Sequence, residues 1–200
     1  MASSAHGDPS LETRIVEAAL TCIARWGIAK TTLDDVGREA RCARATIYRT
    51  FSGGKREVMR SVVHHEVARL AAAVDTAMVD AATLDDLLVD GAVAAARFLR
   101  CNDALTFLLA HEPDAVLPHV AFDKLDRLLV AIADFCAPHL VRFLPVDEVA
   151  AASEWATRVV LSYALNPSER CDLTVESDAR RLVTTFLVPA LDQRTSMPRS

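Results

Sequence analysis

The stretch that most constrains this chain is Thr31–Lys55, TTLDDVGREARCARATIYRTFSGGK. Its spacing predicts two short helices joined by a tight turn. The first covers about Leu33 to Ala40, because Leu33, Val36, Gly37 and Ala40 recur at i, i+3, i+4 and i+7 on one helical face. Thr32 is placed to cap it, and Asp35 stands three positions on, where a carboxylate reaches back as in a capping box. The second covers about Ala43 to Thr50. Ile47 and Phe51 are four apart and face inward, leaving Arg44, Thr46, Tyr48 and Arg49 to face out. This is the layout of a helix-turn-helix, in which one helix lies across a phosphate backbone and the second enters the major groove of duplex DNA. Arginine pairs bidentately with guanine O6 and N7, and hydroxyls and cations hold phosphates. Arg38, Arg41, Arg44, Arg49, Lys55 and Arg56 supply the cations, and Glu39 is the only acid between Arg38 and Arg56.

At these residues the sequence resembles the TetR family of bacterial transcriptional regulators. The family pattern, roughly T-x-x-x-I-A-x-x-A-G-V-S-x-x-T-L-Y-x-H-F-x-x-K, is met at Thr32, Val36, Gly37, Ala40, Thr46, Ile47, Tyr48, Phe51 and Lys55. Three positions depart from it. Arg41 replaces the turn glycine, Cys42 the valine and Ala43 the capping serine. Arg41 is expected in a left-handed conformation that glycine tolerates better. Losing a serine cap costs roughly 1 kcal/mol. The resemblance implies that Thr32, Arg41, Arg44, Ala45, Thr46, Tyr48, Arg49 and Lys55 form the DNA-binding surface. Tyr48, Lys55 and Thr32 would then hold phosphates and Arg44 a base edge.

The net charge of −5 speaks against a nucleic-acid binder, but its distribution reverses that. Met1–Arg60 carries 10 Lys and Arg against 7 Asp and Glu, and the remainder 12 against 20. A basic head on an acidic body is a local DNA footprint. A hydrophobic fraction of 52% supports a substantial core, and only 6 glycines with long helical spacing predict an all-α protein. The expected organisation is a disordered arm over 1–10, a three-helix helix-turn-helix head over 11–56, and a helical ligand-binding and dimerisation body over 57–200. Five scattered cysteines without a C-x-x-C fit reduced cytosolic thiols rather than a disulfide frame or zinc site. The polar opening MASSAHGDPS lacks an export signal, and no apolar run reaches about 18 residues. A cytoplasmic protein without membrane spans, metal or cofactor is expected.

In chain order, a helix over about Leu11–Trp26 carries the inner stripe Leu11, Ile15, Ala18, Ala19, Cys22, Ile23 and Trp26, with Gly27 ending it. A long helix follows the Ser52-Gly53-Gly54 break, with Val58, Met59, Val62, Val63 and Val67 inside. Its start points backbone N–H groups at a phosphate. Thr83 starts a fifth helix ending near Asn102, and a short one covers Asp103–His111. A further helix is expected over about His119–Leu144, kinked at Pro138, then two over about Val146–Leu165 and Ser177–Leu191. In the TetR family the last two helices pair with those of a second subunit. By that resemblance Ala152, Ala156, Val159, Tyr163, Leu182 and Phe186 would form a homodimer interface.

His64, Phe98, Cys101, Phe107, His111, Phe122 and Trp155 are candidates to line a ligand cavity, though each also suits an ordinary helical core. Their apolar bias points to a small apolar or amphiphilic effector such as a fatty acyl chain. His64 and His65 are adjacent and point about 100° apart, which disfavours a shared metal. His111-Glu112-Pro113-Asp114 holds an acid and a base but more simply marks a helix junction, and no cofactor fingerprint is present. The chain reads as a ligand-responsive repressor of a pseudo-palindromic operator. The rival is a helical ligand-binding or enzymatic module without DNA binding, whose basic hairpin serves a protein or acidic surface.

Overall fold

The structure is a computed structural model that describes residues 10–117, 125–166, 168–187 and 189. They are helical throughout, with one isolated bridge between Ser168 and Cys171 and no β-strand among the described residues. The helices are α1 (Leu11–Lys30), α2 (Leu33–Glu39), α3 (Arg44–Thr50), α4 (Lys55–Met78), α5 (Leu84–Arg100), α6 (Asp103–His111), α7 (Leu125–Leu140), α8 (Val146–Leu165) and α9 (Glu176–Leu182). A 3-10 turn, Pro113–Ala115, follows α6, and a π-helical turn, Val183–Leu187, follows α9. Two compact units emerge. One holds the residues up to Ala68 together with Asp103–Pro113, and the other holds Arg69–Asn102 with the residues from Asp114 on.

In the first unit, Ser10 caps α1 by accepting from Thr13 N at 3.1 Å. Ile15, Val16, Ala18, Ala19, Cys22 and Ile23 are buried, as their spacing dictates. Leu11 and Trp26, expected on the same stripe, are exposed. They lie at the two ends of that stripe. Gly27 interrupts the helix at φ 79° without ending the element, and one further turn runs on to Lys30. In α4, Val58 and Val62 are buried, but Val63 and Val67 are 59% and 57% exposed. A position one residue along from a buried one has turned by about 100°, so the apolar stretch is wider than the face that α4 covers.

The second unit has its core around α5. Leu87, Leu88, Val89, Val93 and Ala96 are buried against Val74 and Met78 of α4, Leu140 and Leu144, Val149, Ala152 and Val160 of α8, and Ala179, Val183 and Leu187. Thr83 caps α5 through Asp86 N at 3.1 Å. Within α5, a Cβ at Gly91 would meet the Met78 sulfur at 3.0 Å, so the small residue lets the two helices close up. Arg142 donates to the Val79 and Ala81 carbonyls at 3.1 and 2.7 Å, satisfying acceptors beyond the end of α4.

Pro138 lies inside α7, which ends at Leu140 rather than near Leu144. Residues 118–124 lie outside the described residues, and with them the expected start of this helix and Phe122. The last helix differs in kind from the α-helix expected, because α9 gives way at Val183 to a wider turn. There Thr184 Oγ1 donates to the Arg180 carbonyl at 2.8 Å, a local competitor for the helical ladder. No helix among the described residues is long and apolar enough to cross a membrane.

Candidate nucleic-acid interface

The first helix of the hairpin is fixed at its start by a complete capping box. Asp35 N donates to Thr32 Oγ1 at 3.2 Å, and Thr32 N donates to Asp35 Oδ2 at 3.1 Å. The Thr32 hydroxyl donates to the same carboxylate at 2.5 Å. These bonds from Thr32, with Arg38 nearby, hold the Asp35 carboxyl below the usual carboxylate range. Both donors of Thr32 are thereby used inside the protein, which fixes the start of α2.

The turn that follows is tight. Cys42 N donates to the Gly37 carbonyl at 2.9 Å, and a Cβ on Gly37 would approach the Cys42 carbonyl to 2.9 Å. Arg41 has φ 53°, the left-handed conformation expected where glycine is absent. From α1, Arg14 Nη2 donates to the Ala40 carbonyl at 2.8 Å and satisfies the end of α2. Ala43 has an extended backbone at the start of α3 and provides no side-chain cap. What anchors α3 is burial, because Ile47 and Phe51 are almost completely enclosed.

Their burial turns Arg44, Ala45, Tyr48 and Arg49 outward, all exposed, while Thr46 is half-buried and accepts from Arg49 Nη2 at 3.0 Å. Arg44 is held on two sides. Nη1 donates to Asp34 Oδ2 at 2.8 Å, Nη2 donates to the Tyr48 hydroxyl oxygen at 3.4 Å, and the guanidinium lies 5.6 Å from the Tyr48 ring centroid. The bond to Tyr48 and the Asp34 charge raise its pKa further, so it is a permanent cation. Tyr48 in turn packs against Gly54, whose φ of 61° brings the backbone close to the ring. Arg41 is exposed beside this face.

Lys55 is drawn elsewhere. It is half-buried, and its Nζ donates to the Ile28 carbonyl at 2.6 Å, at the end of α1. A second donor reaches the Ala29 carbonyl at 3.5 Å, so of the three donors of the ammonium one is left for a phosphate, and Lys55 has a structural task that local sequence does not reveal. Glu112 is a second such residue. Its carboxylate accepts from Ile28 N at 2.9 Å and Ala29 N at 3.3 Å, satisfying amides freed by the break at Gly27. Asp34 is the third. These partners are 10 to 84 positions apart in the chain, and no local signal announces them.

Of the ligand candidates, His64, Phe107 and His111 belong to the first unit and Phe98, Cys101 and Trp155 to the second. Phe107 and His111, with ring centroids 4.5 Å apart, line an open cavity of about 620 Å³ with Thr21, Arg25, Asp103 and Thr106. Phe98 is half-buried, with Arg69 5.6 Å from its ring centroid. His64, Cys101 and Trp155 are exposed, contrary to an interior role within this chain, and none of them lines that cavity. Phe122 lies outside the described residues. Among the described residues, no group of three or more His, Cys, Asp or Glu is placed to hold a metal ion.

Of the residues expected at a dimer interface, Ala152 is fully buried in its own chain and has no surface to offer a second copy. Ala156, Val159, Tyr163 and Leu182 are partly covered by the core of the second unit, and Phe186 is 63% exposed. Burial and a hydrogen bond with Cys171 push the Tyr163 hydroxyl pKa up.

Residues 15–62 match the sequence profile of the bacterial regulatory proteins of the tetR family. An uncharacterised HTH-type transcriptional regulator of Mycobacterium tuberculosis is 26% identical over 189 residues, covering 93% of this chain and 88% of the relative. Solved structures of similar fold include the TetR family repressor AlkX from a Dietzia strain, implicated in biodegradation of n-alkanes. It has a TM-score of 0.65 and 18% identity, covering 90% of this chain and 97% of that one. Another is the regulator FadR from Bacillus subtilis in complex with stearoyl-CoA, with a TM-score of 0.60 and 16% identity, covering 86% and 97%. With the profile matched across α2, the turn and α3, and the relative aligned over nearly the whole chain, residues 15–62 of this protein are similar to the bacterial regulatory proteins of the tetR family.

Proposed function

We propose that the protein is a cytoplasmic, non-enzymatic transcriptional regulator, a repressor that binds a pseudo-palindromic operator as a homodimer. α3 enters the major groove of each half-site, and the two half-sites lie about one helical turn of DNA apart. The observation that carries this reading is the outer row of α3. Arg44, Tyr48 and Arg49 stand exposed on a helix clamped from behind by the buried Ile47 and Phe51. Arg41 and Ala45 flank that row, and Thr46 supports Arg49.

Release follows from a small apolar or amphiphilic molecule that binds one conformation of the dimer better than the other. The stearoyl-CoA in the FadR structure of similar fold supports long-chain acyl compounds as the first effectors to try. Phe186 and the partly covered Val159, Tyr163 and Leu182 are the surface on which a second copy would sit.

The test is binding of the purified protein to genomic duplex fragments, followed by fluorescence anisotropy across a salt series, with mass measured in solution. Nanomolar binding to particular fragments, a steep salt dependence and a dimeric mass are expected. A monomer indifferent to duplex DNA at low ionic strength would overturn the proposal.

A further inference from the structure

Asp34 is an acid of α2 set against the first cation of α3. It lies in the first turn of α2, next to the capping box that fixes that helix end. Its Oδ2 accepts from Arg44 Nη1 at 2.8 Å, and Arg44 is the first residue of α3. Both side chains are half exposed, so the pair adds little to stability. Both partners nevertheless stand on fixed backbone. One partner rides on the capped start of α2, the other on a helix pinned by Ile47, and the short turn through Arg41 joins them. Tyr48 holds the far side of the guanidinium.

The pair changes what Arg44 can recognise. A free arginine is drawn to any phosphate. An arginine already holding a carboxylate at 2.8 Å must exchange one anion for another to reach a phosphate, and that exchange brings little net gain. A guanine edge is neutral and presents two acceptors, so the guanidinium can turn its remaining N–H groups to O6 and N7 without giving up Asp34. The paired cytosine offers an N4 amino donor that a carboxylate can accept. The geometry points to Asp34 as a specificity-determining residue that converts Arg44 from a phosphate anchor into a reader of one G·C pair per half-site. This rests on the DNA-binding reading above.

The experiment selects operators from a random duplex library with the full-length protein, then measures affinity for the selected duplex and for a scrambled duplex of the same composition. In Asp34→Asn the preference for G·C at one position in each half-site relaxes by roughly 5-fold or more. Binding to the scrambled duplex tightens, and its salt slope steepens by about one per subunit. Glu39→Gln, which removes another acid of α2, one paired with Arg25 at 3.1 Å, shifts affinity for both duplexes alike and leaves the preference in place. In an Arg44→Ala background, Asp34→Asn no longer alters the preference.

Unchanged G·C preference in Asp34→Asn, or an equal change with Arg44 already removed, overturns the assignment while leaving the DNA-binding reading standing. A wild-type protein that selects no duplex at all removes both.

Discussion

The Lys55 ammonium sits 2.6 Å from the carbonyl oxygen of Ile28, so the first residue of α4 closes the last turn of α1. A lysine that served DNA alone would be dispensable for folding. Here Lys55→Met removes a charge-assisted hydrogen bond from a half-buried carbonyl. It should cost about 2 kcal/mol of stability in urea denaturation without DNA, in addition to weakening operator binding. A variant with unaltered unfolding and reduced affinity would assign Lys55 to phosphate alone.

Glu112 serves the other half of the same turn. Glu112→Ala leaves Ile28 N and Ala29 N without their acceptor. Hydrogen exchange at Ile28 and Ala29 should quicken before exchange at Ile15 or Cys22 does, and global stability should fall by about 1–2 kcal/mol. Equal acceleration along all of α1 would show that Glu112 acts through overall stability rather than at the break.

Arg41 sets stability against binding. At φ 53° a side chain with a Cβ is held in the left-handed region, at a cost of order 1 kcal/mol. Arg41→Gly should therefore melt higher, by an amount equivalent to about 1 kcal/mol or somewhat less, since glycine also gains entropy when unfolded. The same change removes an exposed cation beside α3, so duplex affinity should fall for all sequences alike, with a shallower salt slope. A lower melting temperature would mean that the Arg41 side chain makes contacts outweighing its backbone strain.

Acid should loosen the second unit through Asp172. Arg100, then Thr174, hold its carboxyl well below the usual carboxylate range, with Arg100 Nη2 2.5 Å from Oδ1. Because the folded-state pKa is depressed, the stabilisation is complete above the ordinary value of about 4. It is lost as pH falls below that toward the depressed one. Asp86, held down by Thr83 and Arg180, acts in the same direction. Urea midpoints taken between pH 6 and pH 3 should fall for wild type and fall less for Asp172→Asn, whose stability is already reduced at pH 6. Parallel curves would assign the acid sensitivity to other carboxylates.

Local rules read the hairpin well. The Thr32–Asp35 capping box and the buried Ile47 and Phe51 are decided within a few residues and stand as their spacing implies, while the left-handed Arg41 and the uncapped Ala43 stand as the family resemblance implies. The edges of apolar stripes were less legible. Leu11, Trp26, Val63 and Val67 have the right residue type, but whether a neighbour covers them is decided by other segments. The pairings Asp34–Arg44, Lys55–Ile28 and Glu112–Ile28 were not legible at all, because a charged residue carries no mark of the distant backbone or side chain it will meet. The π turn at Val183 shares this character, since Thr184 looks like any surface threonine until its hydroxyl bond to Arg180 is seen.

The interruption of α1 at Gly27 also bears on how this protein can be dissected. The amides beyond it are served by a carboxylate from the end of α6, and the carbonyl beside them by an ammonium from the start of α4. A fragment cut just past the family-matched region, after residue 62, would keep the ammonium but discard the carboxylate, baring two peptide groups on the flank of its reading apparatus. An excised head of that length would fray from Ile28 onward, so a minimal DNA-binding piece must bring the α6 strand of sequence with it or replace what Glu112 does.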